Sequence, residues 1–259
     1  QVVTSSVQSV HVNNTIKSFK NRNLDTSFAA AYFPDVTLKL KGSSNLIPVP
    51  PSVGVLGSLS LNDSVGYPWT PPAGKERGKV NAENSNIILN RNNLDDLYSA
   101  NINPITSYAN TGIVIWGQKT LFKDQSALNR INVRRLLVDI RRSIRGVANT
   151  LLFEPNREET LNKFTSLVNP ILQNVKNKNG IVRYKVIIDS STTTQADIEN
   201  NTIRGKIYLQ PVRAIEFVAL DFIVNPSETK TINIEMCVSI FVPSTSNIIL
   251  FIIMNSTHK

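Results

Sequence analysis

Apolar residues recur every three or four positions in the middle of the chain and alternate with polar ones on either side. Across 131–151, Val133, Leu136, Leu137, Ile140, Ile144, Val147 and Leu151 fall on one stripe of a helical wheel about 100° wide. A second helical pattern covers 154–180, with Leu161, Phe164, Leu167, Val168, Ile171, Leu172 and Val175 on its apolar side. Asn156 with Glu159 three residues on gives it a capping signature, and Glu158 and Glu159 suit the positive end of a helix. Pro170 removes one backbone donor and is expected to kink it; Lys176, Lys178 and Gly180 signal its end.

Upstream, Val36, Leu38 and Leu40 alternate with Thr37, Lys39 and Lys41, the mark of a half-buried strand. A short helix should precede it, capped by Asp25 or Thr26 and ended by Pro34. Residues 1–22 are polar, show no helical period and read as an arm or entering strand. A helix is expected over 49–63. Pro50 and Pro51 suit its start, and Ser52, Gly54, Gly57 and Ser58 permit close backbone packing. The prolines and glycines of 66–80 exclude regular structure, leaving an ordered loop pinned by Tyr67 and Trp69. A short helix near 93–100 and a buried strand at 112–122 follow, then a domain boundary. After the two long helices come strands at 182–189, 203–212, 214–224, 232–242 and 247–254. Helix, helix and then several strands is an α+β layout, so the whole chain reads as mixed α/β.

Charge changes this picture. The formal net charge is +9 over 259 residues, which calls for an acidic partner: nucleic acid, an anionic membrane or an acidic protein surface. The charge is concentrated in "NRINVRRLLVDIRRSIRG", where Asp139 is the only acid. Arg130, Arg134, Arg141 and Arg145 line the face adjoining the apolar stripe; Arg135 and Arg142 sit further round. One side of this helix is thus for a core and another for an anion.

Candidate chemistry is sparse. The only histidines, His11 and His258, lie near the termini, so a catalytic triad has little to draw on. There is no CxxC, HExxH or phosphate-binding glycine loop. The single cysteine, Cys237, sits in an apolar run and reads as a buried small hydrophobe. No catalytic, cofactor-binding or metal-binding residue is expected, and no small-molecule substrate. No signal peptide is visible, and the apolar run 247–254 is far short of the roughly 20 residues that span a bilayer, so no membrane insertion is expected. A basic nucleic-acid-binding virion protein is the alternative that charge alone favours, but no aromatic residues interleave with the arginines.

Several motifs in order are more specific. "GIVIWGQKTLF", "RINVRRLLVDIRRSI", "FEPNREETLNKFTSLVNPILQNVKNKNGI" and "YKVIID…DIENNTIRGKIYLQPVRAIEFVALDFIV" resemble the C-terminal domain of contractile-tail sheath proteins, from contractile-tailed bacteriophages and related injection machines. "TSFAAAYFPDV", "VPPSVGVLGSLSLNDSVGYPWTPPAGKERG" and "NNLDDLY…NPI" resemble the segment before it. The resemblance implies a partial subtilisin-like α/β sheath domain with an N-terminal extension (1–122), without protease activity. A C-terminal polymerisation domain of helices on a small mixed sheet (123–225) and terminal strands or arm (226–259) follow. Sheath proteins are usually longer, so an N-terminal portion is expected to be absent from this sequence.

The resemblance further implies a structural subunit, not an enzyme, that forms six-fold rings stacked helically around an inner tail tube. Contraction would drive the tube through a bacterial envelope. Expected partners are copies of itself, the inner tail tube protein, and baseplate and tail terminator proteins. The expected location is the virion tail, after assembly in the host cytoplasm. On this reading Arg130, Arg134, Arg141 and Arg145 face an acidic tube, while Arg135 and Arg142 are available to a neighbouring subunit. Arms that add strands to a neighbour's sheet would join the copies. Ile232, Ile234, Met236, Val238, Ile248, Leu250 and Ile252 are candidate positions on such strands, with an ordinary hairpin within one subunit the equal alternative.

Overall fold

A short three-stranded sheet forms the centre of the N-terminal half in the computed structural model, which describes residues 5–40, 42, 44–155, 157–188, 192, 197, 199, 202–216, 219–222 and 238–241. Its order is β1 (Ala31–Phe33), β5 (Ile102–Tyr108), β6 (Gly112–Ile115). β1 runs parallel to β5, and β5 forms an antiparallel hairpin with β6. Residues 78–80 continue the sheet beside β6, through Ile115 N–H donating to Gly78 O at 2.7 Å and Val80 N–H to Ile113 O at 2.9 Å.

Strand alternation sends side chains to both faces of this sheet. Ala31 and Phe33 face one apolar cluster with Ile102, and Tyr32 joins another with Ile105, Ile113 and Ile115. Helices α1 (Ser5–Asn21) and α4 (Arg91–Ser99) cover the first face through Val12, Ile16, Phe19, Leu94 and Leu97. Helix α2 (Pro51–Val65) covers the second through Val55. A smaller antiparallel sheet, β3 (Leu46–Val49), β2 (Val36–Lys39), β4 (Asn84–Ser85), adds Val36, Leu38 and Val49 to the same cluster. Helices on both sides of a sheet make this half α/β.

Two expectations fail here, and one strand is unanticipated. Residues 5–21 are a helix, not an arm or strand: Val12, Ile16 and Phe19 recur at helical spacing, but with so few apolar residues the period is easily missed. Residues 25–30 do not form a helix. The chain turns there and enters β1, which Pro34 follows after a cis peptide bond. Residues 102–108, to which the sequence pattern assigned no element, form a fully paired strand. Proline is tolerated because Pro104 sits at the end of the pairing with β1, where its carbonyl still accepts from Trp116 N–H at 2.8 Å.

Helix α2 forms where expected. Gly54 and Ser58 are buried, and a Cβ on Gly54 would sit 2.7 Å from Val80 Cγ1. Gly57 instead faces open space beside exposed Val53, Leu56 and Leu61. The 66–80 loop is ordered as anticipated, apart from a single helical turn, α3 (Gly74–Arg77). Tyr67 and Trp69 stack with centroids 5.0 Å apart, and Trp69 Nε1 donates to Lys178 O at 3.0 Å.

The C-terminal half of the described chain has its own core. After a 3-10 turn (Ala127–Asn129), α5 (Ile131–Thr150) and α6 (Glu158–Asn177) pack together, with α6 against β7 (Ile181–Ile187), which pairs antiparallel with β8 (Lys206–Pro211). Leu136, Ile140, Val168, Leu172, Val175 and Ile181 are its buried centre, with Ile144, Val147, Phe164, Ile207 and Leu209 around them. Among the described residues, Trp69 is its only contribution from before residue 122, and the first two clusters draw nothing from beyond Leu121. Residues Gln1–Arg213 nevertheless form one compact unit.

Helix α6 runs through Pro170 without interruption. Its N-cap position is Arg157, with no side-chain cap; Asn156 lies outside the described residues. Thr160 Oγ1 donates back to Pro155 O at 2.7 Å. The stop works as the sequence suggests, except that Asn179 takes the left-handed φ of 56° while Gly180 N–H donates to Val175 O at 2.9 Å. Among the described residues β7 and β8 form a two-stranded sheet, so each has an outer edge without a third strand.

Residues Ala214–Lys259 form the second unit. Within it β9 (Ala219–Phe222) pairs antiparallel with β10 (Val238–Phe241), Val238 opposite Phe222. Val238 therefore lies in a ladder inside this chain. Ile232, Ile234, Met236, Ile248, Leu250 and Ile252 lie outside the described residues, as do Cys237 and His258.

Candidate partner-binding surface on the arginine helix

Helix α5 owes its direction to its apolar stripe. Val133, Leu136 and Ile140 are buried, and Ile144 and Val147 pack at the margin of the core. The arginines occupy the other sides, but the structure divides them into two groups.

Arg130, Arg134 and Arg135 are engaged within the chain. Arg130 donates to Asn129 Oδ1 at 2.8 Å and to the Tyr98 hydroxyl at 3.4 Å. The Arg134 guanidinium lies 4.0 Å from the centroid of the Phe28 ring and donates to Ser27 Oγ. Burial, helped by the nearby positive charge of Arg141, pushes its pKa down from the usual arginine value. Arg135 forms an ion pair with Asp63 of α2. Its side chain is only 21% exposed, against 39% for Asp63. The same guanidinium partly offsets the upward push of burial on the Tyr32 hydroxyl, whose pKa is raised to about 12.

These contacts fasten the start of α5 to elements well before it in sequence: the 27–28 turn, α2 and α4. Nothing in the pattern around Ser27, Phe28, Asp63 or Tyr98 marks them as arginine partners, because the pairing is purely tertiary. Asp63→Ala should lower the unfolding free energy by about 1 kcal/mol, a modest figure because the pair is partly solvated. The swap Asp63→Arg with Arg135→Asp should recover part of it, as read from urea titrations.

Arg141, Arg142 and Arg145 are exposed, and no described residue pairs with them. Arg141 and Arg145, one turn apart, project together, whereas Arg142 projects about 100° away from Arg141. Val138, 52% exposed, lies among them. The ridge of four expected from the wheel is thus an outward pair, Arg141 and Arg145, continuing a row whose first members are tied down. Three exposed guanidiniums so close together form a cationic patch open to an anionic partner.

The α5–α6 turn follows. Leu152 is 61% exposed and Phe153 wholly so, with a backbone φ of 70°. Nothing in the sequence pattern marks Phe153 for a role. Among the described residues no helix is long and apolar enough to cross a membrane.

Residues 123–225 match the family described as the phage tail sheath C-terminal domain. The tail sheath protein of Vibrio phage KVP40 is 33% identical over 181 residues, 70% of this chain and 27% of that protein. The tail sheath protein of Enterobacteria phage T4 is 33% identical over 176 residues, 68% of this chain and 27% of that protein. The chain spans about a quarter of the length of these curated relatives. Among solved structures, the sheath complex of an extracellular contractile injection system, PVC, in the contracted state superposes with a TM-score of 0.73 at 26% identity, over 82% of this chain and 60% of that one. The anti-feeding prophage helical sheath in the contracted state shares the fold, with a TM-score of 0.68 at 24% identity over 77% of this chain and 57% of that one.

Proposed function

We propose, for a chain that belongs to the phage tail sheath family through its residues 123–225, that it is the C-terminal part of a structural sheath subunit. Copies polymerise as stacked six-fold rings around an inner tail tube and contract to drive that tube through a bacterial envelope. The work comes from lattice rearrangement, so no catalytic residue, cofactor or nucleotide enters. The observation that carries the reading is the exposed, unpaired Arg141 and Arg145 on a helix whose adjoining apolar stripe is built into the core of the sheath domain.

Exposed charges suit a sheath that must hold a tube and then slide on it. Each ion pair with an acidic tube contributes about 0–1 kcal/mol, so any one subunit lets go easily. Repetition over many copies still fixes the register. Arg142 projects away from that pair and suits a neighbouring subunit. The open edges of the β7–β8 sheet suit strands donated by neighbours' arms, whose backbone hydrogen bonds persist while their linkers bend. Baseplate and terminator proteins would bound the polymer, which would be assembled in the host cytoplasm and reside in the virion tail.

Arg141→Glu with Arg145→Glu should leave sheath self-assembly intact and abolish coating of purified tail tubes in electron micrographs. Coating at wild-type density by this variant would remove the tube assignment. Salt-sensitive retention of DNA in a gel shift would support the nucleic-acid alternative, which rests on net charge alone.

A further inference from the structure

Four non-glycine residues among those described have positive φ: Asn23, Asn101, Asn179 and Phe153. Asparagine tolerates the left-handed region because its short side chain bonds locally; a bulky aromatic does not. Phe153 adopts it at 70° while its side chain touches nothing that would hide it from water. The conformation thus presents the ring outward at a backbone cost with no internal return. Leu152 beside it is 61% exposed, so the apex of the turn is an apolar knob.

The rim of this knob identifies what it fits. Glu154 follows it in the chain and pairs with Lys163 at 3.2 Å, and Arg157, Glu158 and Glu159 are exposed at the start of α6, where acids outnumber bases. An acid-rich rim opposes the acidic tube proposed for Arg141 and Arg145. It complements a second copy of this chain, whose net charge is +9. On that copy, Arg142 is exposed beside Val138, an apolar centre with a cationic edge.

We infer that the α5–α6 turn of one copy docks on α5 of another, with Phe153 and Leu152 against Val138 and Glu158 and Glu159 facing Arg142. The inference rests on the self-assembly reading above. The two surfaces differ, so the contact is heterologous and propagates along a polymer instead of closing a two-fold dimer.

Benzoylphenylalanine placed at position 153 of the full chain tests it. Irradiation should give a covalent dimer whose linked peptide lies in 131–150 of the second copy. Arg142→Glu should abolish the cross-link, and adding Glu158→Lys and Glu159→Lys should restore it. In parallel, Phe153→Asn should keep or raise the melting temperature, by up to about 4 °C, while weakening self-association about tenfold or more in sedimentation. A fall in melting temperature would give Phe153 an internal packing role and overturn the inference. So would cross-links confined to one chain, or to tube protein, under conditions where the chain assembles. Failure of the unsubstituted chain to associate at all would remove the self-assembly reading together with this contact; assembly without the cross-link removes only the contact.

Discussion

Asn103→Ala is expected to lower the unfolding free energy by about 3–5 kcal/mol, as much as truncating a fully buried leucine. Asn103 is fully buried in β5. Its side-chain amide donates to Ala31 O at 3.0 Å and to Lys119 O at 2.8 Å, and its Oδ1 accepts from Lys119 N–H at 2.6 Å. One side chain thus closes β1, β5 and the segment after β6 into a single unit. Truncation leaves those backbone groups without partners, and each buried, unsatisfied one costs about 1–3 kcal/mol. Asn103→Asp should be comparably damaging, because it preserves shape and replaces the donor by an oxygen facing two carbonyls. Urea titration followed by circular dichroism checks both. A loss below about 1 kcal/mol in each would mean that water replaces the amide without penalty. The same geometry accounts for the glycine in "WGQKTL": a Cβ on Gly117 would lie 2.8 Å from Asn103 Oδ1.

Gly180→Val should destabilise the C-terminal core by about 3 kcal/mol, at the upper end of overpacking effects. Even the first added carbon would stand 2.7 Å from Val175 Cγ1 and 3.1 Å from both Leu136 Cδ1 and Trp69 Cε2. Gly180 is where α6 ends, β7 begins and the 66–80 loop closes over the core, so none of the three neighbours retreats freely. Val175→Ala should cost about 1–3 kcal/mol by itself, through the cavity it leaves. Combined with Gly180→Ala, the total should fall short of the sum of the two single changes, since one removes the atom that the other strikes. Strict additivity in a double-mutant cycle would show that the two sites do not share that space.

These two residues mark where sequence reading succeeds and where it stops. Helices α2, α4, α5 and α6, and β2 and β7, follow from apolar spacing and from the placing of prolines and glycines, which are local signals. Gly180 was legible as a helix stop, but its contact with Trp69 was not, because 111 positions separate them. Asn103 carried no signal at all, since a polar residue in a strand reads as solvent-facing until the fold surrounds it with backbone groups. Helix α1 was hidden by its sparse apolar residues, and the pattern assigned no element to β5. In the arginine helix, the wheel placed Arg130, Arg134, Arg141 and Arg145 in one row, whereas Arg130 precedes the helix in extended conformation. It could not show that Ser27, Phe28 and Tyr98 occupy the first two, or that Asp63 holds Arg135.

That fastening has a mechanical consequence. A tangential force applied at Arg141 and Arg145 reaches Phe28, Ser27 and Asp63 through a helical rod about two to three turns long, and from there β1 and α2. Load enters at one end of the rod and leaves at the other as shear spread over several weak contacts.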